Sequence, residues 1–142
     1  MDWVETLKDV NYVAVLAAVA ASFAVGMVWY SELAFGKTWM KLTGLKKKDV
    51  ENKDKMMKGM MHTAISSLIK GAVLAALIMV VGIDGWAEGA VFGAVIGFGL
   101  VMTSAAMHDA FSHKPMLLTK INGLHDIVSF AAMAAVIAGI GA

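Results

Sequence analysis

The sequence contains no cysteine and no arginine, and its single proline is Pro115. Without cysteine the chain has no disulfide, no thiolate nucleophile and no thiolate metal site. Without arginine it has no bidentate guanidinium for phosphate groups, and its net charge is only +1, so no nucleic-acid partner is expected. Any chemistry must therefore come from lysine, histidine, acidic and hydroxyl side chains.

Charge is also scarce, since 16% of the residues are charged and 59% are hydrophobic. Soluble domains carry about 25% charged residues, so this composition is typical of an integral membrane protein. The N-terminal stretch MDWVETLKDV is acidic and amphipathic, and no small-residue cleavage site follows the first apolar run. We therefore expect no removable signal peptide, and the first apolar run is predicted to remain in the protein.

Four apolar stretches are long enough to cross about 30 Å of hydrocarbon, which requires roughly 20 helical residues. They cover residues 12–31, 64–83, 87–106 and 121–140. The sequence thus predicts an all-α, polytopic integral membrane protein, with one four-helix transmembrane domain over residues 1–142. The lipid bilayer is its first expected partner.

The lysines predict the orientation of these spans. Eight of them lie in the link of residues 32–63, and Lys114 and Lys120 lie near the last link. Because lysine-rich links stay in the cytoplasm, both termini are predicted to lie outside, as an N-out/C-out protein of the cytoplasmic (inner) membrane. The segment SELAFGKTWMKL mixes aromatic residues with lysines, which predicts a short interfacial helix after the first span. The expected interface anchors are Trp29, Tyr30, Lys37 and Trp39.

Glycines recur at four-residue spacing in the third span, at Gly85, Gly89, Gly93 and Gly97. Small residues at this spacing let another helix approach closely. The pattern alone does not say whether that helix belongs to the same subunit. We expect packing within one subunit and, in addition, a homo-oligomer or an accessory subunit of a membrane complex.

Two charged residues are predicted at the same depth in the membrane. At about 1.5 Å per residue, Lys70 lies roughly 9 Å and Asp126 roughly 7–8 Å from the cytoplasmic boundary. A charge at this depth is costly unless it is paired or extends to the interface, so the sequence predicts an ion pair between them.

Other polar side chains are spaced to share helix faces with this pair. The full set of candidate residues for ligand binding or proton transfer is His62, Ser66, Lys70, Ser104, His108, Asn122, His125 and Asp126. Two interpretations are open. The set forms a polar cavity that faces the cytoplasm, or it holds the helices together by hydrogen bonds and one ion pair.

The sequence predicts a non-enzymatic membrane module, either transporter-like or accessory, without a cofactor. It has no serine in a nucleophile-elbow pattern and no HExxH motif. An alternative is a metal- or haem-binding membrane protein that uses His62, His108 and His125, although no metal-ligand spacing supports it.

A longer motif surrounds the first span, and it includes the stretch WYSELAFGKTWM. The residues that carry it are Asn11, Ala14, Val15, Trp29, Tyr30, Ser31, Phe35, Gly36, Lys37, Trp39 and Met40. Together with KPMLLTKINGLHDIVSF near the end, they resemble the small prokaryotic membrane proteins of domain-of-unknown-function family 1761. The resemblance implies a four-helix integral membrane fold, and it implies no activity.

Overall fold

Helices make up most of the structure, a computed structural model that describes residues 2–142. In chain order they are α1 Trp3–Asp9, α2 Tyr12–Trp29, α3 Gly36–Thr43, α4 Lys47–Val50, α5 Lys53–Val81, α6 Trp86–Phe111 and α7 Met116–Ile140. Residues 2–142 contain no strand, so the prediction of an all-α fold is confirmed.

Four of these helices, α2, α5, α6 and α7, are long and apolar enough to cross a membrane, as predicted. Helix α5 begins well before residue 64, where the predicted span starts. The side chain of Asn52 caps it by accepting a hydrogen bond from the backbone N–H of Lys55 at 3.0 Å. The charged first turns of α5 therefore belong to the lysine-rich link.

Asn11 connects the start of α2 to the end of α7. Its side-chain oxygen accepts hydrogen bonds from the backbone N–H groups of Val13 and Ala14, which caps α2. Its side-chain nitrogen donates to the backbone oxygen of Gly141 at 3.0 Å. One asparagine thus fixes both helices at the end of the molecule remote from the link.

Helices α2, α5 and α7 meet in a core that lies in the half remote from the link. Its largest fully buried side chains are Val15, Leu74, Ile78, Met133 and Ile137. The approach is close at Gly71, where an added Cβ would lie 2.9 Å from Val15 Cγ1 and 3.5 Å from Met133 Cε. Glycine at this position therefore allows the three helices to meet.

Helix α6 packs along α7 through the glycines of the predicted face. An added Cβ on Gly89 would lie 2.7 Å from Ala138 Cβ, and one on Gly93 would meet the backbone oxygen of Phe130. Gly85 differs from them: it precedes α6 with a φ of +83°, and an added Cβ would have no neighbour within 4 Å, although its backbone N–H donates to the backbone oxygen of Ala138 at 3.3 Å. The contact lies within one chain.

The middle of α6 widens into a π-helical turn, Gly97–Met102. The hydroxyl of Thr103, the first residue after this turn, donates to the backbone oxygen of Gly99 at 2.8 Å. At its start, an added Cβ on Gly97 would lie 2.9 Å from Ile127 Cα and 3.3 Å from the backbone oxygen of Asp126. Gly97 therefore lets α6 approach the α7 backbone closely at the level of Asp126.

A tight elbow joins α2 to α3. The backbone N–H of Phe35 donates to Trp29 at 3.0 Å, and the backbone N–H of Gly36 donates to Ser31 at 2.9 Å. Gly36 is buried, and an added Cβ would lie 2.8 Å from the backbone carbon of Ser31. A glycine is required here because the chain folds back on itself. The elbow brings α3 alongside α7.

Candidate functional site

Polar side chains from α2, α5, α7 and the elbow surround an open cavity of about 520 Å³, here called the polar cleft. It lies between the link-side halves of α5 and α7. Six of the predicted site residues line it: His62, Ser66, Lys70, Asn122, His125 and Asp126. Ser104 and His108 are not among its lining residues, because both are exposed on α6, which packs mainly against α7.

The floor of the polar cleft consists of three buried serines, one from each of its helices. They are Ser22 on α2, Ser67 on α5 and Ser129 on α7. The hydroxyls of Ser22 and Ser129 form a hydrogen bond of 3.0 Å. The sequence does not single out Ser22, because a serine in an alanine-rich helix resembles any small packing residue. Only the structure shows that Ser22 faces Ser129.

We expect Ser129→Ala to lower the free energy of unfolding by about 1 kcal/mol, because it leaves the buried hydroxyl of Ser22 without its partner. The double variant Ser22→Ala with Ser129→Ala should recover most of that loss, since both polar groups are then removed. Unfolding in detergent measures both changes, with Ser104→Ala as an exposed control. The contact would be contradicted if the double variant lost more free energy of unfolding than the two single variants lose in total.

The α7 wall is organised around His125. Its Nδ1 lies 3.2 Å from Asp126 Oδ1, and its ring lies 5.1 Å from that of Tyr30 and 6.2 Å from that of Trp29. Tyr30 donates its hydroxyl hydrogen to Asn122 Oδ1 at 2.9 Å. Two aromatic rings and a carboxylate therefore hold the imidazole in place.

The residues predicted as interface anchors have different surroundings. The Trp29 indole donates to the backbone oxygen of Ile121 at 3.0 Å, which joins the end of α2 to α7. Trp39 packs edge-on against Tyr30 at 5.4 Å and lines the polar cleft. Lys37 is exposed, with its Nζ 3.9 Å from Glu32 Oε2. Tyr30 of the elbow and Trp39 of α3 thus both line the polar cleft.

Lys70 is the charged residue of the α5 wall. Its Nζ lies 5.7 Å from the centroid of the Phe130 ring, within the range of a cation–π contact. Within residues 2–142, none of the ion pairs closer than 4.0 Å joins Lys70 to Asp126. The predicted ion pair is therefore not formed: the Lys70 ammonium faces the Phe130 ring of α7, and Asp126 contacts His125 instead.

The polar cleft is closed at its inner end. The contact of Gly71 with Val15 and Met133 lies directly beyond Lys70, and the apolar core continues from there. On the other side, Tyr30, Trp39 and His62 line the cleft near the link. The cleft therefore ends near Gly71 and extends from there towards the link.

The structure does not bring the three histidines of the metal and haem alternative together. His62 and His125 line the polar cleft, whereas His108 lies on α6. In the described part of the chain, residues 2–142, no group of three or more His, Cys, Asp and Glu side chains is placed to hold a metal ion. No observation favours this alternative.

Comparison with known proteins identifies a family that matches most of the chain. The family model described as a protein of unknown function, DUF1761, matches residues 13–138. No curated protein and no solved structure matches the chain.

Proposed function

Because the chain belongs to the DUF1761 family, whose function is unknown, we propose its role from the geometry of the polar cleft. It is a non-enzymatic membrane module, transporter-like or accessory, that binds a small dipolar ligand with one ammonium group and one anionic group. The observation that carries the proposal is that Lys70 and Asp126 line the same cavity without contacting each other.

The chemistry of membrane interiors supports this assignment. A charge within a membrane-spanning helix is costly unless an opposite charge compensates it. Lys70 and Asp126 have opposite charges but form no ion pair with each other, so a ligand that carries both charges would compensate both. The ligand's anionic group would bind Lys70, and its ammonium group would bind Asp126, whose Oδ1 already contacts His125.

The size and closure of the polar cleft suit binding. Its volume of about 520 Å³ lies within the roughly 300–1,000 Å³ of small-molecule sites. The close contact at Gly71 closes the cleft towards the apolar core, which supports a binding site rather than a continuous channel. In the predicted orientation the link end of the cleft faces the cytoplasm, and transport would require the contact at Gly71 to open.

A hydrolytic role has less support than binding. The contact between His125 and Asp126 resembles two members of a catalytic triad, which also needs a serine hydroxyl bonded to the histidine. In residues 2–142 no serine is hydrogen-bonded to His125, and Ser129 is paired with Ser22. We therefore assign the histidine to positioning of Asp126.

The absence of cysteine permits a direct test, because a single introduced cysteine is the only thiol. Ser66 lines the polar cleft, while its neighbour Ile65 is 54% exposed on the apolar surface of α5. A thiol needs water to form its reactive thiolate. We expect a water-soluble methanethiosulfonate reagent to label Ser66→Cys at least about tenfold faster than Ile65→Cys, and added phosphoethanolamine to slow the labelling of Ser66→Cys.

Mass spectrometry of the reconstituted protein follows the labelling over time. Equal rates at the two positions would contradict a hydrated cleft. A fast reaction at Ser66→Cys that is slowed neither by phosphoethanolamine nor by dihexanoyl phosphatidylethanolamine would contradict the binding of a dipolar ligand.

A further inference from the structure

We propose that the ligand of the polar cleft is the headgroup of an aminophospholipid that enters sideways from the bilayer. This inference rests on the proposed function, and it adds that the ligand carries acyl chains. The headgroup supplies a counter-charge for each of the two charged residues of the cleft: a primary ammonium for Asp126 and a phosphodiester for Lys70.

The first reason is the surface beside Lys70. The side chain of Lys70 is exposed in the single chain, and its neighbours Ile69 and Val73 on α5 are 61% and 48% exposed. All three lie in a helix that is long and apolar enough to cross a membrane. At this level the exposed surface contacts acyl chains, so the cleft borders hydrocarbon where Lys70 stands.

The second reason is the continuity of polar groups along α5. His62, Ser66 and Lys70 follow one another at four-residue intervals and line the same cleft. At 1.5 Å per residue they extend over about 12 Å along the helix axis. A headgroup could move along this polar track while its acyl chains remain outside, against the apolar surface of α5.

The third reason is the distribution of charge, which distinguishes between headgroups. A purely anionic headgroup would leave Asp126 without a counter-charge. A choline headgroup has the positive charge but no N–H, so it cannot donate a hydrogen bond to the Asp126 carboxylate, whereas a primary ammonium has three donors. Ethanolamine therefore fits the two walls of the cleft better than choline or glycerol.

Native mass spectrometry of the full chain in detergent tests the inference, with three lipids of identical acyl chains. We expect phosphatidylethanolamine to bind about tenfold more tightly than phosphatidylcholine or phosphatidylglycerol. Lys70→Met and Asp126→Asn should each weaken the binding of phosphatidylethanolamine about tenfold. The matched controls Lys120→Met and Asp84→Asn change exposed residues outside the cleft and should leave the affinity unchanged.

Lys70→Arg, which keeps the positive charge, should retain the preference, and circular dichroism of every variant confirms that it is folded. Equal binding of the three lipids would overturn the inference. So would free phosphoethanolamine binding as tightly as the lipid, but that result would leave the proposed function intact. If neither free phosphoethanolamine nor the lipid binds, both the inference and the proposed function are wrong.

Discussion

Gly93→Ala is expected to lower the free energy of unfolding by about 1–3 kcal/mol or more, because the added methyl group has no space. Its Cβ would meet the backbone oxygen of Phe130, and it would lie 2.7 Å from Ala134 Cβ. The backbone of α7 cannot move aside as a flexible side chain could. Helix α6 would have to shift away from α7.

The same helix offers a matched control. Gly99 also lies in α6, and no atom lies within 4 Å of an added Cβ there. Gly99→Ala should therefore change the free energy of unfolding by no more than about 0.5 kcal/mol. Unfolding of both variants in mixed detergent micelles, followed by circular dichroism, gives the comparison. If the two variants lose equal stability, the close packing of α6 on α7 is not needed for the fold.

Lys70→Met is expected to have the opposite effect on stability and to weaken binding. Replacing a membrane-embedded charge by an apolar side chain should raise the stability of the ligand-free protein by about 1–3 kcal/mol. The substitution also removes the cation–π interaction with Phe130, which is worth roughly 0.5–1 kcal/mol at an exposed site. Substitutions that raise stability and weaken binding are typical of residues that serve a function.

The unfolding midpoint of the purified protein measures this change, with Lys120→Met as a control on an exposed lysine outside the polar cleft. Lys120→Met should leave the midpoint nearly unchanged. A decrease in the stability of Lys70→Met by about 1 kcal/mol or more would show that the lysine stabilises the fold, as the predicted ion pair required.

Much of the fold follows from the sequence because it depends on one-dimensional patterns. Apolar length predicts the four long helices, and the spacing of Gly89, Gly93 and Gly97 predicts a closely packed face. Gly85 has the same spacing but precedes the helix, and spacing alone cannot reveal a positive φ. The π-helical turn Gly97–Met102 depends on how α6 fits α7, so no local pattern predicts it.

The site is predicted less completely, for a similar reason. Depth along each helix predicts that Lys70 and Asp126 share a level, and both residues line the polar cleft. Depth does not determine how far apart two helices stand, and the pair predicted from it is not formed. Ser22 joins the cleft through its hydrogen bond to Ser129 of α7, and Trp39 joins it because α3 lies alongside α7. Both contacts between helices are distant in sequence, so no local pattern predicts them.

A double-mutant cycle of Lys70→Met and Asp126→Leu tests most directly whether Lys70 and Asp126 bind a ligand or bind each other. The free energy of unfolding is measured for the four proteins without ligand and again with dihexanoyl phosphatidylethanolamine. We predict a coupling energy below about 0.5 kcal/mol without ligand and about 1 kcal/mol or more with it. A coupling of that larger size without ligand, unchanged when the lipid is added, would show that the two charges bind each other and would contradict a ligand site.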